Sequence, residues 1–461
     1  MKKIKLISII TILLSIIYSC EEKFELNTCE KLVFSCDTIK FDTLFTGIKS
    51  SLRFIKVYNN TNKNININRI SLENDDKQFK LNINGLETNN AENINLMKKD
   101  SLFIFIQAEL INKQENKLEN NAIIFNTGGE DQKVIITAYG LNVKELDNKI
   151  DKNTILEKET NYFAKTDIII KENVKLNIQE GTTIYFEKGK GIINYGTLII
   201  NGTKEKPVIF TGKRTENDYL NIPGQWVGIT IKQTSKNNSI NYANIKNAQI
   251  GIQYTENQDN NNQITISNSK IENHTHTGIY LENINTLIYN TLIANCGYSC
   301  IYIAGNSKYE IYHCTLADYW NMSYRNNSTL KCNNLNPNEK GEIINFDATI
   351  ANSIIYGNHA SEIDCTLPLN GEGNIKFINC LIKNKTTKNQ VFESCIFNQD
   401  PEFENIDSCN YSIKENSPAL NIGNKDIIEN KEYLLKDYYE TSRLDNNIPD
   451  AGFIELKNQN P

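Results

Sequence analysis

Between residues 240 and 398 the chain repeats one pattern of apolar and polar positions. Seven segments align on a small residue: Ala243, Ser269, Thr291, Cys314, Ser353, Cys380 and Cys395. Three positions earlier stand Ile240, Ile266, Ile288, Ile311, Ile350, Phe377 and Phe392; two positions later stand Ile245, Ile271, Ile293, Leu316, Ile355, Ile382 and Phe397. Every member of both sets is apolar. Strand side chains alternate between two faces with period two. Inward residues at −3 and at 0 and +2 differ in parity, so a bend must lie between them. The residue just before the anchor is Asn268, Asn290, Asn352 or Asn379, with Tyr242, His313 and Ser394 as departures. Asn tolerates positive φ at a bend, and stacked amides bond from rung to rung. A second Asn set, Asn247, Asn273, Asn295 and Asn384, follows four positions after the anchor.

The anchor spacings are 26, 22, 23, 39, 27 and 15. The central value suits one coil of a three-sided β-solenoid. The step of 39 holds a loop around residues 326–341. The step of 15 is too short for a full coil, and reads either as a truncated last rung or as a slip in the alignment. Residues 174–178, 180–186, 196–203 and 207–212 add short strands with Gly-containing turns and no helix signal. The pattern predicts a solenoid over 160–425, with roughly 11 coils at about 22–25 residues each and a length of about 50 Å. Residues 426–461 read as a C-terminal cap or tail.

Residues 31–142 have another texture. Short strands at 32–34, 52–57, 103–106, 123–125 and 134–136 are separated by Asn59-Asn60, Asn84-Gly85 and Gly128-Gly129. That spacing predicts a β-sandwich of about 110 residues. The mostly polar stretch 143–159 reads as a linker.

The N-terminus carries an address. Lys2, Lys3 and Lys5 precede an apolar run from Leu6 to Ile17, and Ser19 precedes Cys20. Residues 1–19 read as a secretory signal peptide, too short for a membrane span. Ile17-Tyr18-Ser19-Cys20 resembles a bacterial lipoprotein processing box, which implies an acylated Cys20 and a lipidated tether over 20–30. Glu21-Glu22-Lys23 resembles the acidic export tag of surface lipoproteins in Bacteroidetes-type bacteria, which implies an outer-membrane, surface-exposed protein.

Composition agrees with an all-β reading. Asn accounts for 71 of 461 residues, and Asn favours turns over helix or strand interiors. A hydrophobic fraction of 39% with 23% charged residues is too apolar for a disordered chain. The net charge of −6 becomes −9 once the three leader lysines are removed, which argues against a nucleic-acid partner.

Residues 150–455 resemble the right-handed parallel β-helix proteins of the pectate-lyase-like class, in the form found as Bacteroidetes envelope lipoproteins. The segments that carry the likeness are 180–186 (EGTTIYF), 224–229 (GQWVGI), 313–320 (HCTLADYW), 400–403 (DPEF), 417–420 (SPAL), Arg443 and 449–452 (PDAG). Residues 37–45 (DTIKFDTLF) resemble the opening of the Ig-like modules that precede such domains. The resemblance implies an Ig-like β-sandwich before a β-helix and a place in the cell envelope. It does not imply a mechanism, because the class includes polysaccharide lyases, hydrolases and epimerases beside members of no known activity.

The candidate chemistry is sparse. Asn-Thr-Asp, paired Asp, Gly-His-Gly and Arg-Ile-Lys segments, which mark hydrolase members, do not occur in 160–425. The mature chain holds five arginines, Arg53, Arg69, Arg214, Arg325 and Arg443. The outward row three positions after the anchor reads Lys246, Glu272, Ala294, Ala317, Tyr356, Lys383 and Asn398, with no stacked carboxylates for a glycosidase pair. His274 and His276 share a strand face if extended, yet only Glu272 stands nearby, so a turn role outweighs a metal site. Asp259 to Asn262 lacks cation-loop spacing and reads as a solvated loop. Tyr219, Trp226, Tyr319, Trp320 and Tyr324 offer rings for sugar stacking, with packing as the commoner use of such rings. Arg214, Asp218 and Tyr219 form a polar loop that would flank a groove. Ten Cys remain beside Cys20; Cys314, Cys380 and Cys395 fall at the inward anchor, while the pairs Cys296 and Cys300, Cys29 and Cys36, and Cys332 and Cys365 stay open as disulfides. No metal or cofactor is expected. The expectation is a lipid-anchored, non-catalytic protein held at the membrane by Cys20, whose β-helix binds polysaccharide or another envelope protein. The alternative is a polysaccharide lyase or glycoside hydrolase with an unrecognised site.

Overall fold

The computed structural model describes residues 26–27, 31–75, 77–111, 116–305, 307–333, 347–365, 374–445 and 448–456. The expected leader, Cys20 and Cys29 lie outside the described residues. The chain divides into two compact units, 1–142 and 143–461.

The first unit is a β-sandwich. One sheet joins Thr38–Phe45, Asn64–Leu72, Asn90–Leu96, Lys117–Thr127 and Glu130–Leu141, with Leu26–Asn27 on its edge. The other joins Val33–Phe34, Arg53–Tyr58, Phe79–Ile83, Leu86–Glu87 and Ser101–Ala108. Alternation decides the faces: Leu102, Ile104 and Ile106 point into the core while Phe103 and Phe105 point out. Ile39, Ile67, Phe125 and Ile136 from the first sheet pack with Ile55, Val57, Leu81 and Ile104 from the second. Asn59, in the turn signal Asn59-Asn60, is fully buried and donates to the carbonyls of Lys63, Leu96 and Met97. One amide thereby closes two turns that would otherwise leave buried acceptors unpaired.

The second unit is a parallel β-helix with three ladders of strands. One coil runs through Ala243–Lys246 on the first ladder, then Ile252–Ser267, which bends across the second and third, before Lys270–His274 opens the next coil. The first ladder is an 11-stranded sheet from Lys144–Glu145 to Ile396–Phe397; the other two merge through bends into 17 paired strands. The aligned positions stack as the spacing predicts. Ile240, Ile266, Ile288, Ile311, Ile350, Phe377 and Phe392 pair in succession. So do Ile245, Ile271, Ile293, Leu316, Ile355, Ile382 and Phe397. The step of 15 is therefore a shortened coil and not a slip.

The bend sits at the position before each anchor. Tyr242, Asn268, Asn290, His313, Asn352, Asn379 and Ser394 have φ between 45° and 52°. The Asn amides link rungs: Asn290 Nδ2 donates to Asn268 Oδ1 at 3.0 Å, and Asn268 Nδ2 to Asn241 Oδ1 at 2.9 Å. Two departures gain partners elsewhere. The Tyr242 hydroxyl donates to the carbonyl of Tyr438, and His313 Nε2 lies 2.9 Å from Asn352 Nδ2.

Two boundaries need correction. Residues 143–159 are the first coil and not a linker. Lys144-Glu145 pairs with Tyr162-Phe163, Lys149-Ile150 with Ile169-Ile170, and Thr154–Leu156 with residues 176–178. A coil needs few inward apolar residues, and Ile150 and Leu156 supply them while the polar majority faces out. Second, the solenoid strands end at Phe397, short of residue 425, and the described chain beyond them is a tail. It runs back along the side of the helix as a strap. In chain order it passes back and forth over the rungs: Tyr411 meets Asn295, Ile422 meets Asn379, Asn424 meets Asn352, Tyr438 meets Tyr242, Tyr439 meets Lys204, Arg443 meets Asn290 and Phe453 meets Thr315. The cause is the apolar outward row it covers. Leu292, Ala294, Ala317, Ile354 and Leu381 are buried beneath Phe403, Tyr411, Ile413, Tyr438 and Phe453. Arg443 is fully buried, pairs with Glu455 at 3.1 Å, and donates to Asn290 Oδ1 at 2.9 Å.

Candidate functional site

The strap leaves part of the first ladder uncovered. A groove of about 640 Å³ opens there. Its floor is Lys246, Asn247, Glu272, Asn273 and Asn295, on three consecutive rungs. Asn221 forms one wall, Tyr319 to Met322 and Asn358 the other, and Ile406, Asp407 and Cys409 of the strap close one side.

The second Asn set builds this floor. Asn247, Asn273 and Asn295 have φ of 63°, 64° and 54°, so each turns the chain through a left-handed residue at or next to the end of its strand. Their amides hold the walls. Asn247 Nδ2 donates to the carbonyl of Leu220 at 2.8 Å, and Asn273 Nδ2 to that of Asn221 at 2.7 Å. Asn273 also donates to Asn247 Oδ1, while Asn295 Oδ1 accepts from the Tyr411 hydroxyl at 2.8 Å. The opposite wall is braced from behind. Arg325 makes a bidentate pair with Glu362 at 2.8 and 2.9 Å and donates to Asn358 Oδ1. Asp318, 3.5 Å from Arg325, accepts from the Cys296 amide, and burial pushes its carboxyl up to about 7. Ion pairs this deep hold a loop in one geometry, since breaking one leaves its partner charged and buried.

Glu272 is the distinctive group on the floor. It is half-buried, and among the described residues its carboxylate takes no hydrogen bond. Burial raises its pKa above the usual carboxylate value, against the opposing pull of Lys270 and Lys246. Lys246 sits directly opposite it on the preceding rung. The groove thus combines two acids, Glu272 and Asp407, with one lysine, ordered amides and an aromatic wall.

Of the aromatic residues singled out in sequence, Tyr319 reaches the groove, and so does Trp320. The latter is largely buried, and its Nε1 donates to Ser323 Oγ at 2.9 Å. Arg214, Asp218 and Tyr219 lie on the loop whose Asn221 forms a wall, but do not line the groove. The Arg214 guanidinium sits 3.5 Å over the Tyr219 ring and its Nε donates to Glu216. Asp218 is exposed in the turn Asn217–Tyr219. Trp226 is a correction: it is fully buried, stacks on Phe186 at 4.3 Å and donates to the carbonyl of Lys246. No face of it meets solvent, because the ring lies in a stack with Phe186 and Phe210 inside the helix. His274 and His276 do not share a face. His274 is fully buried, accepts from the Ala248 amide, and is held neutral, its pKa lowered to about 3 by burial. His276 stacks on Tyr298 at 4.5 Å. Asp259 to Asn262 have side chains outside the described set.

Lys246 and Glu272 were visible in the outward row. A search for stacked carboxylates passes over a lone acid. Met322, Ile406 and Asp407 come from loops brought in by the strap and by the long coil step, for which the sequence gives no local signal.

Residues 148–273 match the profile of a family described as the pectate-lyase like beta helix domain. The matched stretch begins in the first coil and ends on the rung carrying Glu272. No curated protein matches the chain. Among solved structures it is similar to a family 123 glycoside hydrolase from Clostridium perfringens, described in terms of glycolipid glycan hydrolysis. The identity is 13%, the overlap covers 28% of this chain and 26% of that one, and the TM-score is 0.18. A similarity that low carries no argument about fold or activity.

Proposed function

We propose that this chain is a lipid-anchored envelope protein that binds a glycan in the first-ladder groove without cleaving it. The observation that carries the reading is the groove itself: ordered Asn turns below, Tyr319, Trp320 and Met322 beside them, and mixed charge from Lys246, Glu272 and Asp407. Sugar sites pair apolar or aromatic surface with a few fixed polar groups. Mixed charge favours a neutral glycan over a polyuronate. Cys20 would carry the acyl chains, each methylene contributing about 0.8 kcal/mol to membrane anchorage. The test follows retention and polymer length together, with neutral and acidic polysaccharides. Uncut polymer should be retained, about tenfold more weakly by Met322→Ala and Trp320→Ala. No retention across the panel would sink the reading.

Glu272 favours a second reading. A carboxyl raised by burial, on the floor of a groove and without a hydrogen bond among the described residues, has the character of a general acid. Shortened polymer that disappears in Glu272→Gln would replace binding with hydrolysis or elimination.

A further inference from the structure

The outer face of the second sandwich sheet is unlike a solvated sheet face. Phe54, Phe103 and Phe105 point outward with 57%, 43% and 39% of their surface exposed. They form one patch: Phe54 pairs with Phe105 across Arg53–Tyr58 and Ser101–Ala108, and the three ring centroids lie 5.8 to 6.4 Å apart. Lys56 stands over Phe103 at 5.1 Å. An acid on this face, Glu87, is opposed by Lys80 at 3.9 Å. Contiguous exposed aromatics on a sheet face mark an interaction surface.

The covalent path of the chain says what covers it. Leu26-Asn27 joins the other sheet parallel to Asn64-Ile65. The chain therefore enters the sandwich at the end where Asn64 begins, beside the turns at 59–63 and 97–100. Cys20 is six residues before Leu26, a reach of at most about 20 Å. Two packed sheets are about 10 Å apart, so an anchor at Cys20 holds this face within reach of the bilayer. The entry end is itself suited to lipid: Met97 is 49% exposed, with exposed Lys63, Lys98 and Lys99 around it.

We infer that the sandwich lies against the bilayer that holds Cys20, with Phe54, Phe103 and Phe105 in the interface and the lysines facing anionic headgroups. The inference rests on the lipid-anchor reading above. The occupant is a lipid surface and not a protein: the tether is too short to leave the membrane far away, and cationic charge rims an apolar patch.

Two measurements test it. In the first, the chain from Glu21 onward, lacking the acyl chains, is floated with phosphatidylethanolamine and phosphatidylglycerol vesicles. It should float, and Phe54→Ser/Phe103→Ser/Phe105→Ser should weaken flotation at least about tenfold with unchanged melting, since these rings are outside the core. In the second, the acylated full chain carries Phe103→Trp in vesicles of brominated lipid. Its emission should be quenched beyond that of the parent, whose Trp226 and Trp320 are buried. Equal flotation of parent and triple variant, or no added quenching at position 103, overturns the docking. The intact mass of the acylated protein separates the two readings: an unmodified Cys20 removes the anchor, while flotation still decides the surface.

Discussion

One outward row of the β-helix has two fates. At Lys246 and Glu272 it is charged and open, and forms the groove floor. One rung on, at Ala294 and then Ala317, the same register is apolar and buried beneath the strap. Backbone geometry is shared, since the residues pair directly along one ladder. Side-chain identity alone separates them. A solenoid exposes every rung equally, so an apolar outward residue must be covered by something. Here the chain's own C-terminal segment does this where the row is apolar, and leaves open the stretch where it is polar.

The largest effect should come from releasing the strap. Arg443 is fully buried against Glu455 and reaches Asn290 on the helix. Arg443→Ala leaves buried acids without a counter-charge and should destabilise the second unit by about 3–5 kcal/mol, read from denaturant unfolding. The next pair tests the row itself. Ala317→Glu puts a carboxylate where the strap packs and should cost about 3 kcal/mol. Glu272→Ala, two rungs away in the open groove, should change stability by less than about 0.5 kcal/mol. Equal costs would mean that the open and covered stretches are not distinct.

The fold was legible because a solenoid writes itself locally. Inward Ile at fixed offsets and Asn at the bends recur with each coil, so each rung can be read without the others. The groove was legible only in part. Its floor lies in that repeat, in Lys246, Glu272 and the second Asn set, whereas its walls come from chain segments far apart: Asn221 before the floor rungs, Met322 within the long coil step, Asp407 in the strap. No periodic signal connects them. Trp226, offered for sugar stacking with packing as the commoner use, packs inside. The polar first coil, 143–159, was missed because few apolar residues carry its inward face, Ile150 and Leu156 with the half-buried Leu146 packed against that core.

A smaller effect comes from His274, the buried imidazole beneath the floor. Its folded pKa is lowered to about 3, so its contribution is present above the unfolded value of about 6.5 and is lost as pH falls. Between pH 7.5 and 5.5 that loss is about 1.3 kcal/mol. His274→Asn should remove it, so the stability difference between parent and variant should narrow by that amount over the same range. A constant difference would mean that the imidazole is not desolvated.

The smallest change sharpens the rule for the bends. Ser394 has φ of 51° at the position where Asn stands in four of the seven aligned rungs. Left-handed backbone costs a non-Gly residue about 1–2 kcal/mol, and Asn bears that cost more readily than Ser. Ser394 is exposed, and among the described residues none of the strap bonds its side chain as Ile422 bonds Asn379 or Tyr438 bonds Tyr242. Ser394→Asn should therefore stabilise the last coil by about 0.5 kcal/mol, measured as a shift in the denaturation midpoint. Tyr242→Asn should go the other way, because it removes the ring that packs on Tyr438 and the hydroxyl that holds the strap. If both substitutions stabilised, backbone preference would govern the bends alone. Opposite signs would show that the departure from Asn at 242 is kept by what lies outside the coil.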